Sequence, residues 1–228
     1  MNSFSRNKNV VIHTLGKLTQ PVEINNDWYK SPWEGIEPLE VKKYMGPKPV
    51  HKPRVQAKMA YDKEAVYVIF RVVDRYVRCV RTDYQNPVYK DSAVEFFFSP
   101  SKDPSKGYFN LEVNCGGTAL FKFRSEEKGN VLIPESDFRQ IDIAHSLPKV
   151  VDPEIKSEVI WTIEMRIPIN ILKQYYDVTP PAPRAKWRAN FYKIADESSH
   201  PHYLTWSKVD YPKPNFHLPQ FFGILVFE

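Results

Sequence analysis

Apolar and polar residues alternate along Arg54-Val55-Gln56-Ala57-Lys58-Met59-Ala60, placing Val55, Ala57 and Met59 on one face of a half-buried strand. After the turn-like Tyr61-Asp62-Lys63-Glu64, residues Ala65 to Val73 are apolar at almost every position, as in a central strand covered on both sides. The two segments predict an antiparallel hairpin. Ala93 to Ser99, Tyr108 to Asn114 and Ala119 to Arg124 repeat the strand pattern, separated by Pro, Ser, Lys and Gly segments with turn chemistry. Glu158 to Arg166 puts Val159, Trp161, Ile163 and Met165 on one face and Glu158, Thr162, Glu164 and Arg166 on the other, while Trp187 to Ala195 and Phe222 to Phe227 complete the set. Only Ile169 to Tyr176, after Pro168, reads as helical. Strands follow one another without the helical crossovers that a parallel sheet needs. The pattern predicts an all-β fold, an antiparallel β-sandwich of jelly-roll character with at most one or two short helices. Residues 1–20 read as a leading arm and residues 21–228 as a single sandwich domain.

Composition agrees with that picture. The 228 residues are 42% hydrophobic and 26% charged, ordinary for a folded chain, and a chain this long buries roughly 70% of its unfolded surface. The departures from average are 20 Pro against 8 Gly and an aromatic load of 14 Phe, 13 Tyr and 5 Trp, which break long helices and favour strands. The formal charge is only +5, from 32 basic and 27 acidic residues spread along the chain. The densest basic stretch, Lys42-Lys43 through Lys48, Lys52, Arg54 and Lys58, is broken by Pro47, Pro49 and Pro53 and reads as a solvated loop entering a strand rather than a nucleic-acid surface. No nucleic-acid partner is expected. No apolar run reaches the roughly 18 residues that span a bilayer, and the start Met-Asn-Ser-Phe-Ser lacks a signal-peptide core. Either the protein is cytoplasmic, or a secretion signal has been removed ahead of Met1 and it is secreted or periplasmic.

Strong short signatures of phosphate binding, nucleophile elbows and HExxH metal chemistry are missing from the sequence. Cys79 and Cys115 form no metal spacing; they make one bridge or stay as two buried thiols. His200 and His202, the only neighbouring histidines, sit in a polar loop and read as surface residues, so no metal and no cofactor is assigned. Carboxylates are more informative. Glu95 lies among apolar neighbours in Ala93-Val94-Glu95-Phe96-Phe97-Phe98, where a charge must be paired or hydrogen-bonded. Tyr108, Asn110, Glu112 and Asn114 share one face of the following strand. If the two strands are neighbours, Glu95, Glu112 and Asn114 line one polar surface: a plain solvent face, a polyol-binding patch or a carboxylate pair for glycoside hydrolysis. A sugar site also needs flat aromatic platforms. Tyr84 and Tyr89 occupy the loop before the Glu95 strand, and Tyr211 and Phe216 occupy the proline-rich loop from Asp210 to Pro219. Trp161 and Trp187 read as core, and Trp28 and Trp33 as packing where the arm joins the sandwich.

The order of these segments, from Trp28 through Tyr67 to Asp74, Asp91 to Phe98, Tyr108 to Asn114, Trp161 to Pro168, Trp187 to Tyr192, Trp206-Ser207 and Asn215 to Gly223, resembles the family 9 carbohydrate-binding modules. The match runs from about Pro21 to the end. The resemblance implies a β-sandwich that binds the ends of plant polysaccharides such as xylan or cellulose without catalysis, in association with glycoside hydrolases. It places the first aromatic wall of a sugar clamp at Tyr89, the acidic hydroxyl reader at Glu95, an asparagine reader at Asn114 and the second wall at Phe216. Tyr and Phe replace the usual tryptophans, and Glu112 stands where the characterised sugar binders carry an arginine. Two other readings remain: a hydrolase using Glu95 with Glu112 or Glu164, and a haem-binding sandwich with Met59 or Met165 and a histidine as axial ligands. The sequence leaves oligomeric state open.

Overall fold

The computed structural model describes residues 10–20 and 22–228. Its strands run in chain order as β1 (Ile12–Lys17), β2 (Leu39–Glu40), β3 (Lys43–Tyr44), β4 (Arg54–Tyr61), β5 (Ala65–Asp74), β6 (Val77–Cys79), β7 (Ala93–Ser99) and β8 (Tyr108–Asn114). They continue as β9 (Ala119–Ser125), β10 (Gly129–Leu132), β11 (Asp142–His145), β12 (Val151–Ile155), β13 (Val159–Pro168), β14 (Lys186–Ile194), β15 (Tyr203–Thr205) and β16 (Gly223–Phe227). Two helices, α1 (Glu135–Phe138) and α2 (Ile169–Lys173), are each about one turn long. The fold is an almost all-β sandwich. The front sheet has the order β10-β9-β8-β7-β14-β16-β1, and the back sheet has the order β1-β4-β5-β13-β11.

The strand β1 belongs to both sheets. Ile12 to Leu15 pair in parallel with Ile224 to Phe227 of β16, and Gly16 and Lys17 pair in parallel with Ala60 and Tyr61 of β4. These pairings are the exceptions to the antiparallel plan expected from the sequence, and they close one side of the sandwich. Part of the expected arm is therefore a strand; residues 1–9 of it lie outside the described residues. β1 was hidden because only Leu15 of its six residues is buried, so its periodicity is faint.

Alternation sorts the remaining side chains. Val94, Phe96 and Phe98 of β7, Phe109 and Leu111 of β8 and Trp187 and Phe191 of β14 point between the sheets, facing Val68, Phe70, Trp161 and Ile163 from the back sheet. Phe96 stacks on Phe98 at 4.5 Å and Phe98 on Trp187 at 5.8 Å, a close-packed aromatic ladder. Met59 and Met165 sit in this same apolar layer, where packing accounts for both. The β4–β5 hairpin pairs Tyr61 with Val66, as the pattern requires.

The outer face of the back sheet is covered too, which the alternation in β4 did not predict. Val22, Trp28 and Trp33 pack on Ala60, Ala65, Tyr67 and Ile69, and the Lys58 ammonium lies 4.3 Å from the Trp28 ring centre. Glu164, from the centre of β13, anchors that cover. Its Oε2 accepts from the Asn25 and Asn26 backbone N–H groups at 2.9 and 2.7 Å and from Lys30 at 3.2 Å, and its Oε1 accepts from the Trp33 indole at 2.7 Å. Glu164 is thus a saturated structural carboxylate on the sheet opposite to Glu95, which removes it as the partner of an acid/base pair.

Candidate functional site

The front sheet carries its own outer cluster. Ala93 and Phe97 of β7, Tyr108 of β8 and Tyr192 and Ile194 of β14 face away from the inter-sheet core, and Met45, Phe216 and Phe222 pack onto them. Beside this cluster opens a cleft of about 640 Å³, larger than the depression of about 460 Å³ near Tyr175–Asp177. Its floor is laid by β7, β8 and β9. Tyr89, Tyr203 and Phe216 contribute aromatic rings around it, and Asp196, Lys213 and His217 add polar groups.

Glu95 and Glu112 lie at the floor. They are directly opposed across the antiparallel β7–β8 pair, a register that brings side chains on the same face into contact. Both are almost wholly buried, at 2% and 4% exposure. Glu112 Oε1 accepts from the Asn110 amide at 2.9 Å, while Glu95 Oε2 and Glu112 Oε2 have no protein partner. Burial pushes Glu95 well above the usual carboxyl range, and the neighbouring Glu112 charge pushes it further. Burial also lifts Glu112, to about 7, against the pull of Lys122, the Asn110 hydrogen bond and Arg124. The floor therefore holds carboxyls that can both donate and accept hydrogen bonds, with two buried oxygens unsatisfied.

Each aromatic wall is held from behind. Tyr89 sits in a short turn, Val88–Lys90, bracketed by charge. Arg81 bonds Asp91 at 2.8 Å and Glu197 at 2.6 Å, and Lys90 meets Glu197 at 2.7 Å. The hydrogen bonds from Lys90 and Arg81 pull Glu197 down to about 2. Phe216 lies flat on Tyr192 at 4.0 Å and 11°, and the Tyr192 hydroxyl donates to the Phe216 carbonyl at 3.2 Å. Next to it, the Tyr108 hydroxyl and His217 Nδ1 share a hydrogen bond of 3.1 Å. Burial, with help from Arg124 and Lys122, holds His217 neutral, down at about 3.

Four of the five residues singled out in the sequence meet at this cleft: Tyr89, Glu95, Glu112 and Phe216. Asn114 does not. It is fully buried, its amide nitrogen donates to Arg81 O and Asp91 Oδ2, both at 2.9 Å, and its oxygen accepts from Thr118 N. Asn114 thereby braces the turn that carries Tyr89, and the hydroxyl-reading role expected of it is corrected to a supporting one. Tyr84 stacks on Phe138 at 4.2 Å and bonds the Ile133 carbonyl, while Tyr211 is an exposed residue that does not line the cleft. Lys122 and Arg124, which are not among the five, also line the cleft. The alternation Leu120-Phe121-Lys122-Phe123-Arg124 puts both cations on the cleft face of β9, a signal the neighbouring strands had already taught.

A second polar cluster lies inside the sandwich. Lys193, fully buried, is 3.2 Å from Asp74 Oδ2, close enough for an ion pair though not aligned as a hydrogen bond. Its ammonium donates to His202 Nε2 at 2.8 Å and to the Ile194 carbonyl at 2.9 Å. His202 Nδ1 faces the His200 carbonyl at 3.0 Å, so the ring is neutral with its proton there. Burial and then the Lys193 charge take His202 down to about 3. His51 Nε2 meets the other Asp74 oxygen at 2.7 Å. Cys79 and Cys115 are both buried and unbridged. Among the described residues no group of three or more His, Cys, Asp or Glu side chains is arranged to hold a metal ion, and no helix is long and apolar enough to cross a membrane.

The sequence model of carbohydrate-binding family 9 matches residues 31–227. Among solved structures, a candidate carbohydrate-binding protein from Bacteroides uniformis ATCC 8492 superposes with a TM-score of 0.86 at 26% identity, over 96% of this chain and 100% of that one. A carbohydrate binding module of family 9 from Caldicellulosiruptor kristjanssonii, in complex with cellotriose, superposes at 0.66 with 14% identity over 96% and 94% of the two chains. A family 9 module from the same organism in complex with glucose gives 0.64 and 16% over 96% of each. No curated protein sequence matches the chain.

Proposed function

The chain belongs to carbohydrate-binding family 9, and from that premise we propose that the front-sheet cleft is a non-catalytic sugar site taking the terminal residues of a plant-type polysaccharide such as cellulose or xylan. The observation that carries this is the pairing of aromatic rings with unsatisfied carboxyls: Tyr89 and Phe216 line a cleft that Glu95 and Glu112 also line, each of the two with one buried oxygen that has no protein partner. A pyranose offers an apolar C–H face to the rings and hydroxyls that donate to and accept from such carboxyls. The cellotriose and glucose held by the solved family 9 structures support a sugar of that kind. In this role the protein acts alongside glycoside hydrolases and leaves bond cleavage to them. Hydrolysis would need one carboxylate ready as base or nucleophile, whereas burial pushes both Glu95 and Glu112 toward the protonated form.

Calorimetric titration with cello- and xylo-oligosaccharides, run beside a reducing-sugar assay, tests the proposal. Dissociation constants between micromolar and millimolar are expected, roughly −8 to −4 kcal/mol, with Tyr89→Ala weakening binding about tenfold or more and no sugar released. Turnover that disappears in Glu95→Gln would overturn the binding-only role.

A further inference from the structure

The cleft is lined by more positive charge than its acidic floor can answer. Lys122 and Arg124 reach it from β9, and Lys213 from the loop before Phe216. Neither β9 cation forms an ion pair with a described residue. The Arg124 guanidinium instead donates to two neutral amide oxygens, Asn110 Oδ1 and Asn130 Oδ1, both at 3.0 Å. Three carboxyl groups share the cleft. Asp196 accepts the Tyr203 hydroxyl, and Glu95 and Glu112 are the buried pair already driven toward neutrality. His217, beside the two cations, is neutral and adds no charge.

Position along the strands matters as much as charge. Lys122 pairs with Asn110 and Arg124 with Tyr108, while Glu112 pairs with Leu120. On the shared outer face, Lys122 is thus the next residue along from the Glu112 row, about 7 Å away by strand rise. That step puts a cation one position along the same face from the carboxyl floor, so that one ligand lying in the cleft meets both. An arginine or lysine meeting a carboxylate there would form a charge-assisted hydrogen bond, stronger than one to a hydroxyl.

We propose that the preferred ligand is an anionic sugar, a hexuronate whose ring lies over Glu95 and Glu112 and whose carboxylate is received by Lys122 and Arg124. The proposal rests on the carbohydrate role of the cleft and deepens it by naming the sugar class.

The test is a matched pair of oligosaccharides with the same linkage, one ending in glucuronic acid and the other in glucose, titrated calorimetrically at low and at physiological salt. The wild type should bind the uronate roughly tenfold more tightly, about 1.4 kcal/mol. Salt should erode that advantage, since the contact is an ion pair at a wet cleft. In Lys122→Gln the ratio of the two affinities should fall toward one. Equal binding of the two sugars, preference for glucose, or a uronate preference that persists in Lys122→Gln overturns the anionic specificity while leaving the cleft a sugar site. Failure of both sugars to bind removes the sugar site itself, and the preference with it.

Discussion

Glu95 and Glu112 each contribute stability that is lost as pH rises above the ordinary glutamate range. A carboxyl whose folded pKa lies above its unfolded value binds more protons in the native state, so stability declines as pH rises through the interval between the two. For Glu112 that interval runs from 4.5 to about 7. His202 and His217, held down at about 3, act the other way, so the carboxyl contribution is read from the variant: between pH 5 and pH 8 in urea denaturation, Glu112→Gln should gain on the wild type by on the order of 1–3 kcal/mol. An unchanged pH slope in that variant would refute the buried acidic pair. Asp74 acts in the opposite direction. Burial opposes its ionisation, but Lys193 and the His51 hydrogen bond outweigh that and hold it well below 3.8, so its contribution is present above that pH and fades as pH falls below it. Asp74→Asn leaves the fully buried Lys193 without its counter-ion and should cost about 3–5 kcal/mol in chemical denaturation; adding Lys193→Met should recover most of it. Glu95 was legible as a charge in an otherwise apolar strand, and Glu112 as part of the polar face of an alternating one. The Lys193–Asp74 pair was not, since its partners are separated by more than a hundred residues and meet only across the sandwich.

Strands with two-residue alternation were readable, as β8 and β9 show, because sorting side chains to two faces is a local property of the chain. The short edge strands β2, β3, β6 and β15, two or three residues each, carry too few positions for a period. The seam strand β1 is the clearest case of structure supplied from far away: its partners are β16, about 210 positions onward by the register, and β4. Leu15 is its single buried residue and joins the inter-sheet core. Leu15→Ala should cost about 2–5 kcal/mol, the usual loss for a core leucine, read from the denaturation midpoint. A loss under about 0.5 kcal/mol, the range of ordinary surface substitutions, would mean that β1 does not hold the two sheets together. Between β8 and β9 the turn itself is specified by Gly117, whose φ of +82° and position against the His145 ring, 2.3 Å from where a Cβ would lie, leave room for glycine alone.

At the scale of the molecule, the two faces of the sandwich have different tasks. The back sheet is sealed by the Trp28–Trp33 cover, clamped by Glu164, while the front sheet keeps its outer face open between the Tyr89 turn and the Phe216 loop. Glu164 has both oxygens saturated by the cover, whereas Glu95 and Glu112 each keep one buried oxygen without a protein partner. The aromatic excess in the composition divides in the same way, between the inter-sheet ladder and the cleft walls. The most direct test follows backbone amide shifts in ¹H–¹⁵N spectra during titration with cellobiose and with the glucuronic-acid-terminated oligosaccharide. A sugar site on the front sheet predicts that the perturbed amides cluster around Tyr89, Glu95, Glu112 and Phe216 for whichever sugar binds. Perturbations gathered on the back sheet, or none with either sugar at millimolar concentration, would contradict it.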